Sequence, residues 1–273
     1  MAEAMTDTAP YYLPAGDEVE IFLAAYQRRI PVLLKGPTGC GKTRFIERMA
    51  WQLARDRDQD PNEALITVSC HDDLTSADLV GRYLLSGEGT TWLDGPLTQA
   101  VRRGAICYLD EVVEARKDTT VILHALTDHR RMLPVERLGT TIEAHPDFLL
   151  VVSYNPGYQT AAKDLKPSTR QRFLAIEFTY PGSEHETEII AHESGAGAET
   201  AEALAFLGGK LRGLDEADVI EGPSTRLLVH AGSLISDGFS PRRACDVALV
   251  QALSDEADVQ QAIRDVVEAV FRA

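Results

Sequence analysis

The chain has 273 residues, enough for two domains or one large α/β domain with an appendage, and enough to bury a substantial core. Asp and Glu number 42 against 27 Lys and Arg, and a formal net charge of −15 disfavours non-specific binding to phosphate backbones. No apolar run approaches the roughly 18–20 residues of a membrane span, and the N-terminal MAEAMTDTAP lacks the basic start and apolar stretch of a secretory signal. A soluble cytoplasmic protein is therefore expected, with no nucleic-acid partner and no membrane insertion. Cys40, Cys70, Cys107 and Cys245 are widely spaced and form no C-x-x-C pair, so reduced, mostly buried thiols are expected. His124 and His129, and likewise His185 and His192, miss the four-residue spacing that sets two ligands on one helical face, and no structural metal is expected.

In chain order, short apolar runs occupy 31–35 (PVLLK), 64–70 (ALITVSC), 105–109 (AICYL), 148–153 (FLLVVS) and 173–178 (FLAIEF). They are continuous rather than alternating, which is how strands buried on both faces read. Between them lie helical patterns: after Thr43, the residues Phe45, Ile46, Met49, Ala50 and Leu53 form an apolar stripe of helical period. Alternating β and α elements predict an α/β fold with a parallel sheet covered by helices. After Pro181 the chain is rich in Ala, Leu and Glu and shows no convincing strand. Breaks at Gly208-Gly209, Gly222-Pro223 and Ser240-Pro241 predict about four helices there. The expected organisation is an α/β domain over 1–181 and a small all-helical lid over 182–273.

The sharpest motif is Gly36-Pro37-Thr38-Gly39-Cys40-Gly41-Lys42-Thr43, which matches G-x-x-x-x-G-K-[ST] between a strand and a helix. Its backbone N–H groups and the positive helix end suit phosphates, Lys42 suits the β- and γ-phosphates, and the Thr43 hydroxyl suits Mg²⁺. A second apolar strand ends in Asp110-Glu111. Carboxylates at the C-terminal edge of a strand face the ligand crevice of an open α/β sheet. There Asp110 would hold Mg²⁺, and Glu111 would act as general base on the attacking water, a pairing that points to hydrolysis. A third strand ends in Asn155, whose amide could orient the same water. Arg170 and Arg172 precede the last strand, and Arg226 follows Ser224, a plausible N-cap of a lid helix, from which it could reach a phosphate.

The order of these motifs resembles the MoxR branch of the AAA+ ATPases. The segments GPTGCGKTRF (36–45), DLVGR (78–82), DGPLTQA (94–100), ICYLDEVVEAR (106–116), SYNPGYQ (153–159), LKPSTRQRF (165–173) and STRLLV (224–229) look like the CbbQ/NirQ/NorQ family. The resemblance runs from about residue 11 to the C-terminus. It implies a ring hexamer binding ATP and Mg²⁺ at subunit interfaces, with Asn155 as sensor 1 and Arg226 as sensor 2. Arg170 or Arg172 would be the finger reaching a neighbour's site, Arg172 being favoured because it directly precedes Phe173. The resemblance further implies a partner with a von Willebrand factor A domain. Members similar to CbbQ reactivate rubisco by promoting release of inhibitory sugar phosphates; those similar to NirQ or NorQ help activate nitric oxide reductase. Rubisco is the leading expectation for the client. Two segments, about 84–96 with Trp92 and about 130–146, look like the MoxR insertions and are expected to be hairpins on the pore or partner surface. The charged stretch 55–63 (RDRDQDPNE) looks longer than the family needs and is expected to be a surface extension without effect on catalysis. A nucleotide-switched binding module is an alternative, against which Glu111 and the finger arginines speak; the Asp-Glu strand and the helical lid speak against a metabolite kinase.

Overall fold

The computed structural model describes residues 8–87, 89–116, 119, 121–156, 165–213 and 222–271. Two units make up the chain, Met1–Gly36 with Gly41–Phe178, and Pro37–Cys40 with Thr179–Ala273. The first unit runs α1 (Glu18–Arg28), β1 (Val32–Lys35), α2 (Lys42–Arg55), β2 (Leu65–Ser69), α3 (Ser76–Val80), β3 (Gly81–Ser86), β4 (Gly89–Asp94) and α4 (Pro96–Arg103). It continues through β5 (Ile106–Asp110), β6 (Met132–Val135), β7 (Thr140–Glu143), β8 (Leu149–Tyr154), α5 (Pro167–Arg170) and β9 (Leu174–Glu177).

Five of these strands form one parallel sheet in the order β2-β5-β8-β1-β9. They are the five apolar runs expected from the sequence, to within one residue at each end. The three central strands are buried as expected: every residue of β8, and all of β1 and β5 but the last of each. The edge strands β2 and β9 are more exposed than a both-faces-buried reading requires, because each has a strand neighbour on one side only. Phe45, Ile46, Met49 and Ala50 bury the apolar stripe of α2, while Leu53 at its end stays half-buried.

Two antiparallel hairpins interrupt the α/β alternation. β3 pairs with β4 from Gly81↔Asp94 to Ser86↔Gly89, with the Trp92 ring edge-on to Tyr83 at 5.1 Å. β6 pairs with β7 from Met132↔Glu143 to Val135↔Thr140. Pro96, next to the first hairpin, is already the first residue of α4, where its fixed φ suits a helix start. Within the charged stretch 55–63, α2 ends at Arg55, and the Arg57 guanidinium lies 4.6 Å from the Tyr26 ring centroid and 3.5 Å from Asp147. That segment is therefore anchored to the first unit rather than extended from it.

The second unit is helical among the described residues: α6 (Ser183–Ser194), α7 (Ala198–Arg212), α8 (Thr225–Ser236), α9 (Pro241–Cys245), a π-helical stretch (Asp246–Val250), α10 (Gln251–Leu253) and α11 (Ala257–Val270). Ile190, Leu204, Leu207, Leu211, Leu228, Leu249, Ile263 and Val267 form its core. Two of the expected breaks hold, since Gly222-Pro223 precedes α8 and Pro241 opens α9. The third does not: α7 runs straight through Gly208-Gly209. Gly208 is buried there because α8 approaches closely, and a Cβ on it would lie 2.6 Å from Leu228 Cδ1. The glycine pair marks a helix–helix contact, not a helix end. Among the described residues no helix is long and apolar enough to cross a membrane.

These neighbouring glycines should respond with opposite sign. Gly208→Val forces a branched side chain into Leu228 and should cost about 1–3 kcal/mol through overpacking. Gly209 is exposed, with open space where a Cβ would stand, so Gly209→Ala should gain about 0.4–1 kcal/mol. Urea unfolding of the two variants measures both.

Candidate active site

The parallel register sets Lys35 beside Tyr154 and Leu109 beside Val152, so Gly36, Glu111 and Asn155 leave the sheet along one edge. From β1 the chain turns at Gly36, where φ is +154° and a Cβ would come within 2.3 Å of the Phe178 carbonyl oxygen. No other residue fits that corner. The loop closes at Gly41, with φ +101°, which serves as N-cap of α2 without offering a side-chain acceptor. The first amides of α2 thus have no capping side chain to compete with an anionic ligand. Lys42 Nζ donates to the Gly36 carbonyl at 2.7 Å, which holds the ammonium across the mouth of the loop.

At the end of β5, Asp110 Oδ1 accepts hydrogen bonds from Tyr108 Oη at 2.7 Å and from Ser153 Oγ at 2.5 Å. The same Ser153 Oγ accepts from the Glu111 backbone N–H at 3.0 Å. Ser153 and Tyr108 are fully buried, and Thr43 is a further hydrogen-bonding neighbour of the Tyr108 phenol. Burial first, and then the Asp110 charge, push that phenol above its ordinary value, so it stays a donor. Glu111 takes the left-handed conformation, φ +54° and ψ +49°, which a non-glycine residue holds only where its surroundings impose it. Here the Ser153 bond to its amide supplies part of that constraint. Close by, the Cys70 thiol is pushed up to about 12 by burial and by the charges of Asp110 and Glu111, so it is no nucleophile.

One carboxylate and one threonine hydroxyl, beside a cradle for phosphate oxygens, form the donor set that Mg²⁺ prefers over an all-protein cage. The chemistry of Asp110 and Thr43 therefore fits that ion, and among the described residues no His/Cys/Asp/Glu cluster offers it another seat. Asn155 follows β8 directly and is half-buried; residues 157–159 of the expected SYNPGYQ segment lie outside the described residues. Arg170 ends α5 half-buried, whereas Arg172 in the following turn is exposed. Thr169, before Arg170, has its hydroxyl 3.1 Å from His124 Nε2, and burial with the Arg172 and Lys166 charges holds that imidazole below its ordinary value.

The loop apex, Pro37–Cys40, belongs to the second unit. There Tyr180 Oη donates to the Thr38 carbonyl at 3.2 Å, and a Cβ on Gly39 would stand 2.6 Å from Ser224 Cβ and 3.7 Å from Arg226 Cβ. Ser224 caps α8 as expected, accepting from the Leu227 N–H at 3.4 Å. Arg226 thus starts its side chain beside the loop apex. Tyr108 and Ser153 escaped the sequence reading. Their signal was available, because each is a hydroxyl in a largely apolar strand, and Tyr108 shares a face with Asp110 at period two.

Ser153→Ala removes the group that both Asp110 and the Glu111 amide use, and should cost about 1–3 kcal/mol in denaturant unfolding. Tyr108→Phe removes one donor only and should cost about 1 kcal/mol. Equal effects would mean that the Glu111 amide does not depend on Ser153.

Residues 31–173 match the AAA domain family (dynein-related subfamily), and residues 186–270 match the CbbQ/NirQ/NorQ C-terminal family. The chain is 57% identical over 262 residues to protein CbbQ of Hydrogenophilus thermoluteolus, spanning 96% of this chain and 95% of that protein. It is 57% identical over 263 residues to protein NorQ of Paracoccus denitrificans (strain Pd 1222), spanning 96% and 94%. Among solved structures, the RuvB Holliday junction branch migration motor of Thermotoga maritima superposes with a TM-score of 0.52 at 17% identity, over 92% of this chain and 67% of that one, a likeness that bears on the fold alone. With an AAA domain followed by the family's own C-terminal segment, the chain belongs to the CbbQ/NirQ/NorQ family of AAA+ ATPases.

Proposed function

We propose that this ATPase is a ring-forming motor, a hexamer, that acts with a von Willebrand factor A domain partner to remodel inhibited rubisco and release bound sugar phosphates. The observation that carries the hydrolytic part is the arrangement of Asp110, Ser153 and Glu111 on the sheet edge that also carries the phosphate loop. In this reading the loop amides and Lys42 hold the triphosphate, and Thr43 and Asp110 hold Mg²⁺, which when bound neutralises charge on the phosphates. Glu111 takes a proton from the attacking water, and Asn155 orients that water toward the γ-phosphate. Arg226 contacts the phosphates as sensor 2. Arg172 serves as the finger supplied to a neighbouring subunit, a role that its exposure supports over half-buried Arg170. The first insertion hairpin presents Tyr83, Leu84, Leu85 and Leu93 to solvent, which supports a client-facing role for it. We further propose an α/β nucleotide-binding domain over 1–181 followed by a helical lid over 182–273.

Nitric oxide reductase is the second reading for the client, because the relative named NorQ is as similar in sequence as the one named CbbQ. Glu111→Gln should keep ATP binding and lose turnover, and so trap ATP-bound complexes. Captured from the native host and identified by mass spectrometry, such complexes should contain the rubisco large subunit and a von Willebrand A protein. Recovery of nitric oxide reductase subunits instead would overturn the rubisco assignment and leave the ATPase untouched. Arg172→Ala should retain ATP binding and lose most turnover, on the scale of about 10³-fold for a finger; parent turnover would move the role to Arg170 or remove it.

A further inference from the structure

Glu186 of α6 is a carboxylate buried to 1% exposure and has no part in the hydrolytic step proposed for this ATPase. Its two oxygens accept a bidentate pair from Arg212, Nη1 to Oε2 at 2.8 Å and Nη2 to Oε1 at 2.7 Å. Thr225, the first residue of α8, donates its hydroxyl to Glu186 Oε1 at 2.6 Å. Arg212 Nε donates to the Pro223 carbonyl at 2.8 Å, and its guanidinium lies 4.0 Å from the Tyr180 ring centroid. Residues 223 and 225 are thereby held on either side of the cap Ser224, whose Cβ packs on Gly39, and Tyr180 is held where its hydroxyl reaches Thr38.

A buried ion pair is a poor device for stability, since desolvation of both charges offsets most of their attraction and an apolar pair would pack as well. What apolar side chains cannot supply is direction. The planar guanidinium fork fixes carboxylate, carbonyl and ring in one arrangement, and each of these contacts bears on the entry to α8 or on Tyr180.

We propose that Glu186, with Arg212, is a positioning residue of the nucleotide site: the pair seats the turn at 224–226 and Tyr180 on the apex of the phosphate loop. The proposal rests on the reading of Arg226 as a phosphate contact. Loss of the pair leaves the fold intact and lets the turn and the loop apex move apart.

The test is the double variant Glu186→Leu with Arg212→Met, which removes both charges together, measured by thermal melt and by steady-state ATPase assay, alone and in an Arg226→Ala background. A melt at or above that of the parent is expected, with KM for ATP raised about tenfold, and no further rise when Arg226 is already alanine. Glu186→Gln, which keeps the side chain's shape, should raise KM in the same direction. Parent KM and kcat in both Glu186 variants, with Arg226→Ala impaired, would overturn the role of Glu186 alone. So would an equal rise in KM in both backgrounds, or a KM that changes only in step with a lowered melt. Parent behaviour of Arg226→Ala itself would overturn the reading of Arg226, and the proposal with it.

Discussion

Parallel strand pairing in strict register is the constraint on which the rest of this molecule depends. Because Lys35 stands beside Tyr154 and Leu109 beside Val152, three chain segments turn out of the sheet at one edge and at nearly one level. The phosphate loop, the adjacent carboxylates and Asn155 therefore follow strands at the same edge of the sheet, although more than a hundred residues separate the first from the last. A slip of one residue in β8 would turn Ser153 to the other face and leave Asp110 and the Glu111 amide without it. The chemistry at this edge is only as precise as the central strands, which is a reason for those strands to be the most completely buried part of the first unit.

Hydroxyls, more than charges, set the local geometry. Asp110 is held by two buried donors, one from its own strand and one from the neighbouring strand. In surroundings of low dielectric such bonds are stronger than in water, so the Asp110 carboxylate is fixed in one orientation. The same serine oxygen that donates to Asp110 accepts from the Glu111 amide, so the Asp110 carboxylate and the left-handed backbone of Glu111 share one support. The two residues of the Asp-Glu pair are thus tied together through a residue on another strand.

The helical unit solves a different problem. Its core is ordinary, but two of its contacts are made of unusual material: a glycine where α7 meets Leu228 of α8, and a buried, fully bonded Glu–Arg pair at the entry to α8. Both bear on where α8 runs and where it begins. That helix carries Arg226 and seats its cap on Gly39, so its placement is tied to the apex of the phosphate loop through short-range packing rather than long-range charge. The overall net charge of −15 plays no part in this, since the contacts are local and internally compensated.

Much of this was determined by the sequence alone. Continuous apolar runs show the five sheet strands, because strands covered on both faces cannot hide polar residues, and the phosphate loop shows itself because its glycines and lysine are demanded by close approach to phosphate. Adjacent carboxylates at the end of β5 were legible for the same reason, a strand end being a local feature. What only the tertiary structure decided is what meets across the fold. Gly208-Gly209 reads as a helix break from propensity, but the packing of Leu228 against it keeps α7 continuous. β2 and β9 read as buried, but the strand order places them at the edges. Ser153 and Tyr108 read as incidental hydroxyls until the sheet brings them to Asp110, and Glu186 reads as one acid among 42 until α7 and α8 enclose it. Each depends on partners distant in sequence, and no local pattern encodes a partner.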